Sequence, residues 1–99
     1  MGIEAKVEFG TLTIRISGRF DFGVHQQMRE ATNLVKPDVT KIVVDLSFTD
    51  YLDSSALGML LVLREKSATQ SNTVEIKGAH AEVKKILEIA NFDKLFTLS

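Results

Sequence analysis

The chain has no cysteine, no tryptophan and one proline in 99 residues. Without cysteine, disulfides, thiolate chemistry and cysteine-ligated metal sites are excluded. Twelve basic and 13 acidic residues give a net charge of −1, so charge offers no reason to expect direct contact with nucleic acid or an anionic membrane. No apolar run approaches the length of a membrane span, and the N-terminus lacks the basic-then-apolar layout of a signal peptide. We therefore expect one cytoplasmic domain over residues 1–99 that binds neither nucleic acid nor membrane.

Four segments alternate apolar and polar side chains with a period of two. They are residues 6–9, 11–17, 41–46 and 73–77. This alternation predicts a sheet with one covered face and one wetter face, because strands with helices on both sides read as continuous apolar runs. Gly10 predicts a tight hairpin between the first two strands, and a short last strand is predicted near residues 95–98.

Three helices are predicted between these strands, over about residues 24–35, 54–68 and 81–90. The single proline, Pro37, helps to stop the first of them. Right-handed crossovers between strands laid down in sequential order put all helices on the same face of the sheet. The sequence therefore predicts a single α/β domain of order β-β-α-β-α-β-α-β. Its sheet is mixed, mostly parallel and of about five strands, with helices on one face.

The second predicted helix is apolar around its whole circumference from Ala56 to Leu63. Burial between its two neighbouring helices is one explanation. The other is that its first turn reaches the surface as part of a docking patch, with Met59 as the candidate, because adaptable methionines are common at such surfaces. Both can hold at once. We also expect Leu61 to face the sheet.

Two adjacent serines, Ser54 and Ser55, stand directly after Asp53 at the predicted start of this helix. A helix start has unpaired backbone N–H groups and partial positive charge, which suits an anion such as a phosphoryl group. Asp53 has the side chain expected of a helix N-cap. A phosphate at this position would change the charge of a surface without disturbing the core beneath it.

Three segments together resemble the STAS domains of bacterial anti-sigma factor antagonists: Gly18-Arg19-Phe20-Asp21, the strand at 42–46, and above all Asp53-Ser54-Ser55-Ala56-Leu57-Gly58. The resemblance covers nearly the whole chain. It implies that Ser55 is phosphorylated by a partner anti-sigma factor that is itself a serine kinase. It also implies that the unphosphorylated form binds this anti-sigma factor and that phosphorylation ends the binding. A metal-dependent phosphatase of the PP2C type then removes the phosphate. With Met59 added from the helix, the expected partner-binding residues are Asp21, Asp53, Ser54, Ser55 and Met59.

Two other chemistries are weaker candidates. Asp45, Asp50 and Asp53 suggest a metal site, and Asp45 at a strand end is similar to the phosphoacceptor of a receiver domain. A receiver also needs an acidic pair after its first strand and a lysine late in the chain, and the corresponding positions here offer neither. We therefore expect no metal.

Enzymatic function is not expected either. His25 and His80 have no partner at ligand spacing and no nucleophile beside them, so they are interpreted as exposed or capping histidines. No glycine-rich phosphate loop is present. The sequence predicts no catalytic residue and no cofactor, so any phosphate must be brought by another protein.

Two alternatives remain for the function. Some STAS domains keep the fold and lack the switch, which would make this chain a constitutive scaffold or a complex subunit. Partner-switching modules are also reused upstream of outputs other than a sigma factor. The presence of both Asp21 and Ser55 favours the switch over the scaffold.

Overall fold

The computed structural model describes residues 2–69 and 74–99, which form six strands and three α-helices. Thr73, assigned above to the fourth predicted strand, lies outside the described residues. Two short 3-10 helices cover Phe22–Val24 and Phe92–Lys94. In chain order the elements are β1 (Gly2–Glu8), β2 (Thr11–Phe20), α1 (His25–Thr32), β3 (Lys41–Asp45), β4 (Thr49–Leu52), α2 (Ser54–Thr69), β5 (Val74–Lys77), α3 (Ala81–Ile89) and β6 (Thr97–Leu98).

The sheet runs in the order β1-β2-β3-β5-β6, with β1 antiparallel to β2 and the other pairs parallel. Leu12 and Ile14 of β2 stand beside Ile42 and Val44 of β3, and all four are fully buried on the same face. The helices cover this face. The predicted mixed, mostly parallel sheet with helices on one side is confirmed.

The sixth strand, β4, was missed by the sequence prediction of about five strands. It pairs in parallel with the far end of β2, from Gly18 opposite Thr49 to Phe20 opposite Leu52. The register shifts between Gly18 and Arg19. Strand β2 therefore pairs with β3 along its first half and with β4 along its second. Four residues with two polar members in the middle carry too little alternation to identify a strand.

The first two strands form the predicted hairpin. The pair between Glu8 and Thr11 closes it and leaves a two-residue turn of Phe9 and Gly10. Both turn residues have positive φ, 49° and 79°, the mirror-image geometry that matches the twist of the flanking strands. The assignment of Phe9 to a strand was wrong, since its side chain is fully exposed on the turn.

Two other predicted boundaries move. The first helix was expected over residues 24–35, but α1 ends at Thr32 and Val35 lies buried in the turn that follows. Val35 is apolar because it is buried in the core, although it lies outside the helix. The last strand shrinks to two residues because Leu95 ends a 3-10 turn. Among the described residues, no helix is both long enough and apolar enough to cross a membrane.

Helix α2 buries one stripe, which includes Ala56, Leu60 and Leu63. Two expectations for this helix were wrong. Met59 is only 8% exposed, whereas Leu61, expected against the sheet, is 40% exposed. Residues three, four and seven apart share a helix face, so a stripe through 56, 60 and 63 turns residue 61 outwards. A uniformly apolar segment does not reveal this rotation.

Asp45 at the end of β3 makes the stability of this domain pH-dependent. Burial raises the pKa of Asp45, but hydrogen bonds from the Ser47 N–H and hydroxyl, aided by Lys77 and Arg15, outweigh it and hold the pKa below its usual value. A lowered folded-state pKa contributes stability above the unfolded pKa of about 3.9, and this contribution is lost as pH falls through the folded pKa.

We therefore expect the stability advantage of the wild type over Asp45→Asn to be constant between pH 7 and 5. It should shrink as pH falls below about 4, where Asp45 becomes protonated first in the unfolded state, and it should be lost once the pH has fallen through the lower folded-state pKa. Urea unfolding of both proteins across this range measures the difference. A difference that stays constant down to pH 2 would contradict the assigned role of Asp45.

Candidate functional site

Strand β4 brings two distant loops together. Phe20 at the end of β2 stands beside Leu52 at the end of β4, and the strands are parallel. The next residue of each chain segment is an aspartate, Asp21 or Asp53. Because neighbouring strands lie about 4.8 Å apart, the loops that follow begin side by side at one edge of the sheet.

The start of α2 is capped as the sequence predicts. Oδ1 of Asp53 accepts a hydrogen bond from the Ala56 N–H at 3.1 Å, and its backbone carbonyl accepts one from the Leu57 N–H at 3.2 Å. Asp53 is therefore the N-cap, which makes Ser54 and Ser55 the first and second residues of the helix. Ser54 is exposed and Ser55 is half-buried.

The N–H groups of Ser54 and Ser55 have no hydrogen-bond acceptor within residues 2–69 and 74–99. Unpaired donors at a helix start, together with the helix dipole, favour a negative group. The hydroxyls of both serines belong to the same turn. This turn can therefore accept a phosphoryl group without breaking a hydrogen bond of the fold.

Asp21 organises the neighbouring loop. Its Oδ1 accepts a hydrogen bond from the Gly23 N–H at 2.9 Å, which caps the 3-10 turn Phe22–Val24. Its Oδ2 accepts one from Arg19 Nε at 3.2 Å. The side chain is half-buried, so Asp21 holds the shape of the loop and still presents part of its carboxylate to solvent.

Sequence reasoning missed Arg19 and Tyr51 as neighbours of this site. They stand beside each other in the β2–β4 pair, and the guanidinium carbon of Arg19 lies 3.9 Å from the centre of the Tyr51 ring. This geometry is a cation–π contact, and it fixes Arg19 against β4 while Nε donates to Asp21. Arg19 stands inside the quoted Gly18–Asp21 segment, but its partner lies on the strand that the sequence did not reveal.

Four of the five predicted partner-binding residues come together here, and we call them the serine edge: Asp21, Asp53, Ser54 and Ser55. Met59 does not join them. It lies four residues beyond Ser55 on α2 and lines a groove of about 370 Å³ between α1 and α2, opposite His25 and Met28.

The remaining titratable residues named above serve other roles. Asp45 is bound by Ser47 and Arg15, and His80 Nε2 lies 2.6 Å from the Ser47 carbonyl oxygen. His25 stacks on Phe22 with ring centres 4.8 Å apart. In the part of the chain that the structure describes, no group of three His, Asp or Glu side chains is arranged to hold a metal ion.

Known proteins resemble this chain in sequence or in fold. A STAS-domain containing protein of Pseudomonas aeruginosa (strain UCBPP-PA14) is 49% identical over 88 residues, which make up 89% of this chain and 87% of that protein. A sulfate transporter family protein of Wolinella succinogenes has a TM-score of 0.78 at 16% identity, over 90% of this chain and 73% of that one.

The anti-sigma factor antagonist SpoIIAA of Bacillus has been solved in two forms. The unphosphorylated form has a TM-score of 0.71 at 18% identity, over 94% of this chain and 96% of that one. The phosphorylated form has a TM-score of 0.76 at 17% identity, over 98% of this chain and 90% of that one. At such identities the solved structures show a common fold.

The family assignment comes from the sequence match. The family model described as "Mlab, STAS domain" matches residues 4–98, which include nearly all of β1 and every later element of the structure. The match therefore spans both segments of the serine edge, the loop after β2 and the start of α2. This chain belongs to the STAS-domain family.

Proposed function

We propose that this protein is a phosphorylation-switched anti-sigma factor antagonist. The unphosphorylated form binds an anti-sigma factor that is also a serine kinase, and phosphorylation of Ser55 releases it. The observation that carries this proposal is the position of Ser55, second in α2 behind the Asp53 cap and beside the Asp21 loop. The shared fold with SpoIIAA, a protein solved with and without phosphate, supports it.

The chain acts in this scheme by binding, not by catalysis. The kinase transfers the γ-phosphoryl group of ATP to the Ser55 hydroxyl oxygen, whose proton leaves, and ADP is released; a PP2C-type phosphatase restores the hydroxyl by hydrolysis and releases inorganic phosphate. Asp21, Asp53 and Ser54 form the rest of the contact surface, because they share the edge with Ser55. We leave Met59 out of this surface, since its side chain is buried.

Ser55, not Ser54, is expected to accept the phosphate, because the family resemblance places the modified residue second in the pair. Incubation with the cognate kinase and ATP, followed by fragmentation mass spectrometry, locates the group. Ser55→Ala should take up no phosphate and bind the kinase whether or not ATP is present. The matched control Ser54→Ala should still be phosphorylated. Phosphate found mainly on Ser54 would refute the assignment.

A constitutive scaffold without a switch is the second candidate, favoured by the shared fold with a sulfate transporter family protein. Intact-mass measurement of the protein from its native cell separates the two. A fraction heavier by one phosphate supports the switch, and a protein that never carries phosphate under any growth condition supports the scaffold. The binding partner captured with Ser55→Ala then shows whether the output is a sigma factor.

A further inference from the structure

Strand β1 forms an open edge of the sheet. Among the described strands its one neighbour is β2, and its residues from Glu4 to Glu8 are exposed. An exposed edge strand presents a row of backbone N–H and C=O groups to which another strand can pair. This edge is seven residues long and contains no proline.

One hydrogen bond establishes which backbone groups face outwards. The Ile3 N–H donates to Oε1 of Gln27 on α1 at 3.1 Å, so it points away from β2. In an antiparallel ladder, alternate residues direct their N–H and C=O to the same side. The N–H and C=O groups of Ala5 and Val7 therefore also point to the open edge. Gln27 covers the first outward donor and leaves these two uncovered.

The sequence of this edge is complementary to itself in an antiparallel register centred on Ala5. If two copies meet with Ala5 opposite Ala5, then Ile3 stands opposite Val7 and Glu4 stands opposite Lys6. Each copy would donate the Ala5 N–H to the facing Ala5 carbonyl and the Val7 N–H to the facing Ile3 carbonyl, and the facing Val7 carbonyl would replace Gln27 Oε1 as the acceptor of the Ile3 N–H. Opposite charges and apolar pairs directly across a strand pair are stabilising.

The neighbouring registers allowed by the same backbone orientation are unfavourable. Shifting one way places Lys6 opposite Lys6 and Glu4 opposite Glu8, and shifting the other way places Glu4 opposite Glu4. Like charges directly opposite each other destabilise a strand pair. The charge pattern of β1 therefore favours the register centred on Ala5 over both adjacent registers, and this register has the two-fold symmetry of a closed dimer.

We propose that a second copy of this chain pairs with β1 in this register, joining two sheets into one continuous sheet. The proposal goes beyond the proposed switch and does not depend on Ser55. Strand β2 separates β1 from β4, so Ser54 and Ser55, which follow β4, come after a strand that does not adjoin the pairing edge. The dimer would present two serine edges to its partners.

Charge reversal tests the register. Sedimentation equilibrium at low ionic strength, from micromolar to millimolar protein, should show a monomer–dimer equilibrium for the wild type and for Ser55→Ala. Glu4→Lys and Lys6→Glu should each raise the dimer dissociation constant about tenfold or more, since each places like charges opposite one another twice. The double variant Glu4→Lys/Lys6→Glu restores opposite charges and should return the constant to within about threefold of the wild type.

Lys85→Glu makes the same change of charge as Lys6→Glu, but at an exposed residue of α3. It should leave the dissociation constant unchanged. Amide exchange of Ala5 and Val7 should slow as wild-type concentration rises, which also reports on the pairing should a single variant fold poorly. A wild type that stays monomeric throughout, a Lys6→Glu protein that dimerises as well as the wild type, or a double variant that fails to recover overturns the proposal.

Discussion

Phosphorylation of Ser55 is expected to weaken binding to the anti-sigma factor kinase by about tenfold to a hundredfold and to leave the fold unchanged. The phosphate brings roughly −1.5 to −2 charges at neutral pH. At the start of α2 it is favoured by roughly 0.3–1 kcal/mol through the helix dipole. The unpaired N–H groups of Ser54 and Ser55 lie in the same turn. The domain itself therefore tolerates the group.

The binding loss comes from the surface. The new charge joins Asp21 and Asp53 at one edge of the sheet, where Arg19 offsets part of the charge of Asp21, and it makes this edge more negative. This edge therefore repels any acidic group that the partner places against it: two unit charges about 6 Å apart at an effective dielectric of about 20 repel by roughly 3 kcal/mol, and salt reduces this. A partner surface shaped for a neutral hydroxyl must also desolvate the phosphate. Since about 1.4 kcal/mol corresponds to tenfold in affinity, part of these costs produces the expected loss.

Calorimetric titration of the kinase with phosphorylated and unphosphorylated protein measures this change, and amide spectra of both forms report on the fold. Ser54→Ala, phosphorylated in the same way, is the matched control and should lose affinity equally. Shifts of amide signals should be confined to the loops after β2 and β4 and the first turn of α2. Unfolding on phosphorylation, or equal affinities of the two forms, would contradict the proposed switch.

Leu60→Ala is expected to lower the free energy of unfolding by roughly 2–5 kcal/mol, the range for a leucine removed from a packed core. Leu60 is fully buried on the stripe of α2 that faces the sheet. Small domains are stable by only about 5–15 kcal/mol, so this single change removes much of the total.

Leu61→Ala makes the same chemical change one residue further along the same helix. Its side chain is 40% exposed, so we expect a loss well below that of Leu60→Ala, near the roughly 0.5 kcal/mol typical of surface substitutions. The change in helix propensity is common to both variants, which leaves burial as the difference. Urea unfolding of the two proteins measures it. Equal losses would show that α2 is rotated from the orientation described here.

The elements with a strong local pattern were predicted from the sequence. Strands β2 and β3 alternate over five or more residues, and the helices predicted over residues 54–68 and 81–90 agree with α2 and α3 to within one residue at each end. The cap at Asp53 was also predicted, because an aspartate before two serines and an apolar run is a local signal. Periodicity and capping depend on residues that are close together in the chain, so both can be identified from a single sequence.

Other features depend on contacts between distant segments. Strand β4 exists because the end of β2 offers it a partner, and that pairing, not any motif, sets Asp21 beside Asp53. The rotation of α2, which buries Met59 and exposes Leu61, follows from packing on the sheet, since leucines on every side give no preferred direction. The outward orientation of Ala5 and Val7 is likewise decided by the β1–β2 register and by Gln27, 24 residues from Ile3. Local free energies thus determined the elements, and long-range packing decided how those elements meet to form the serine edge.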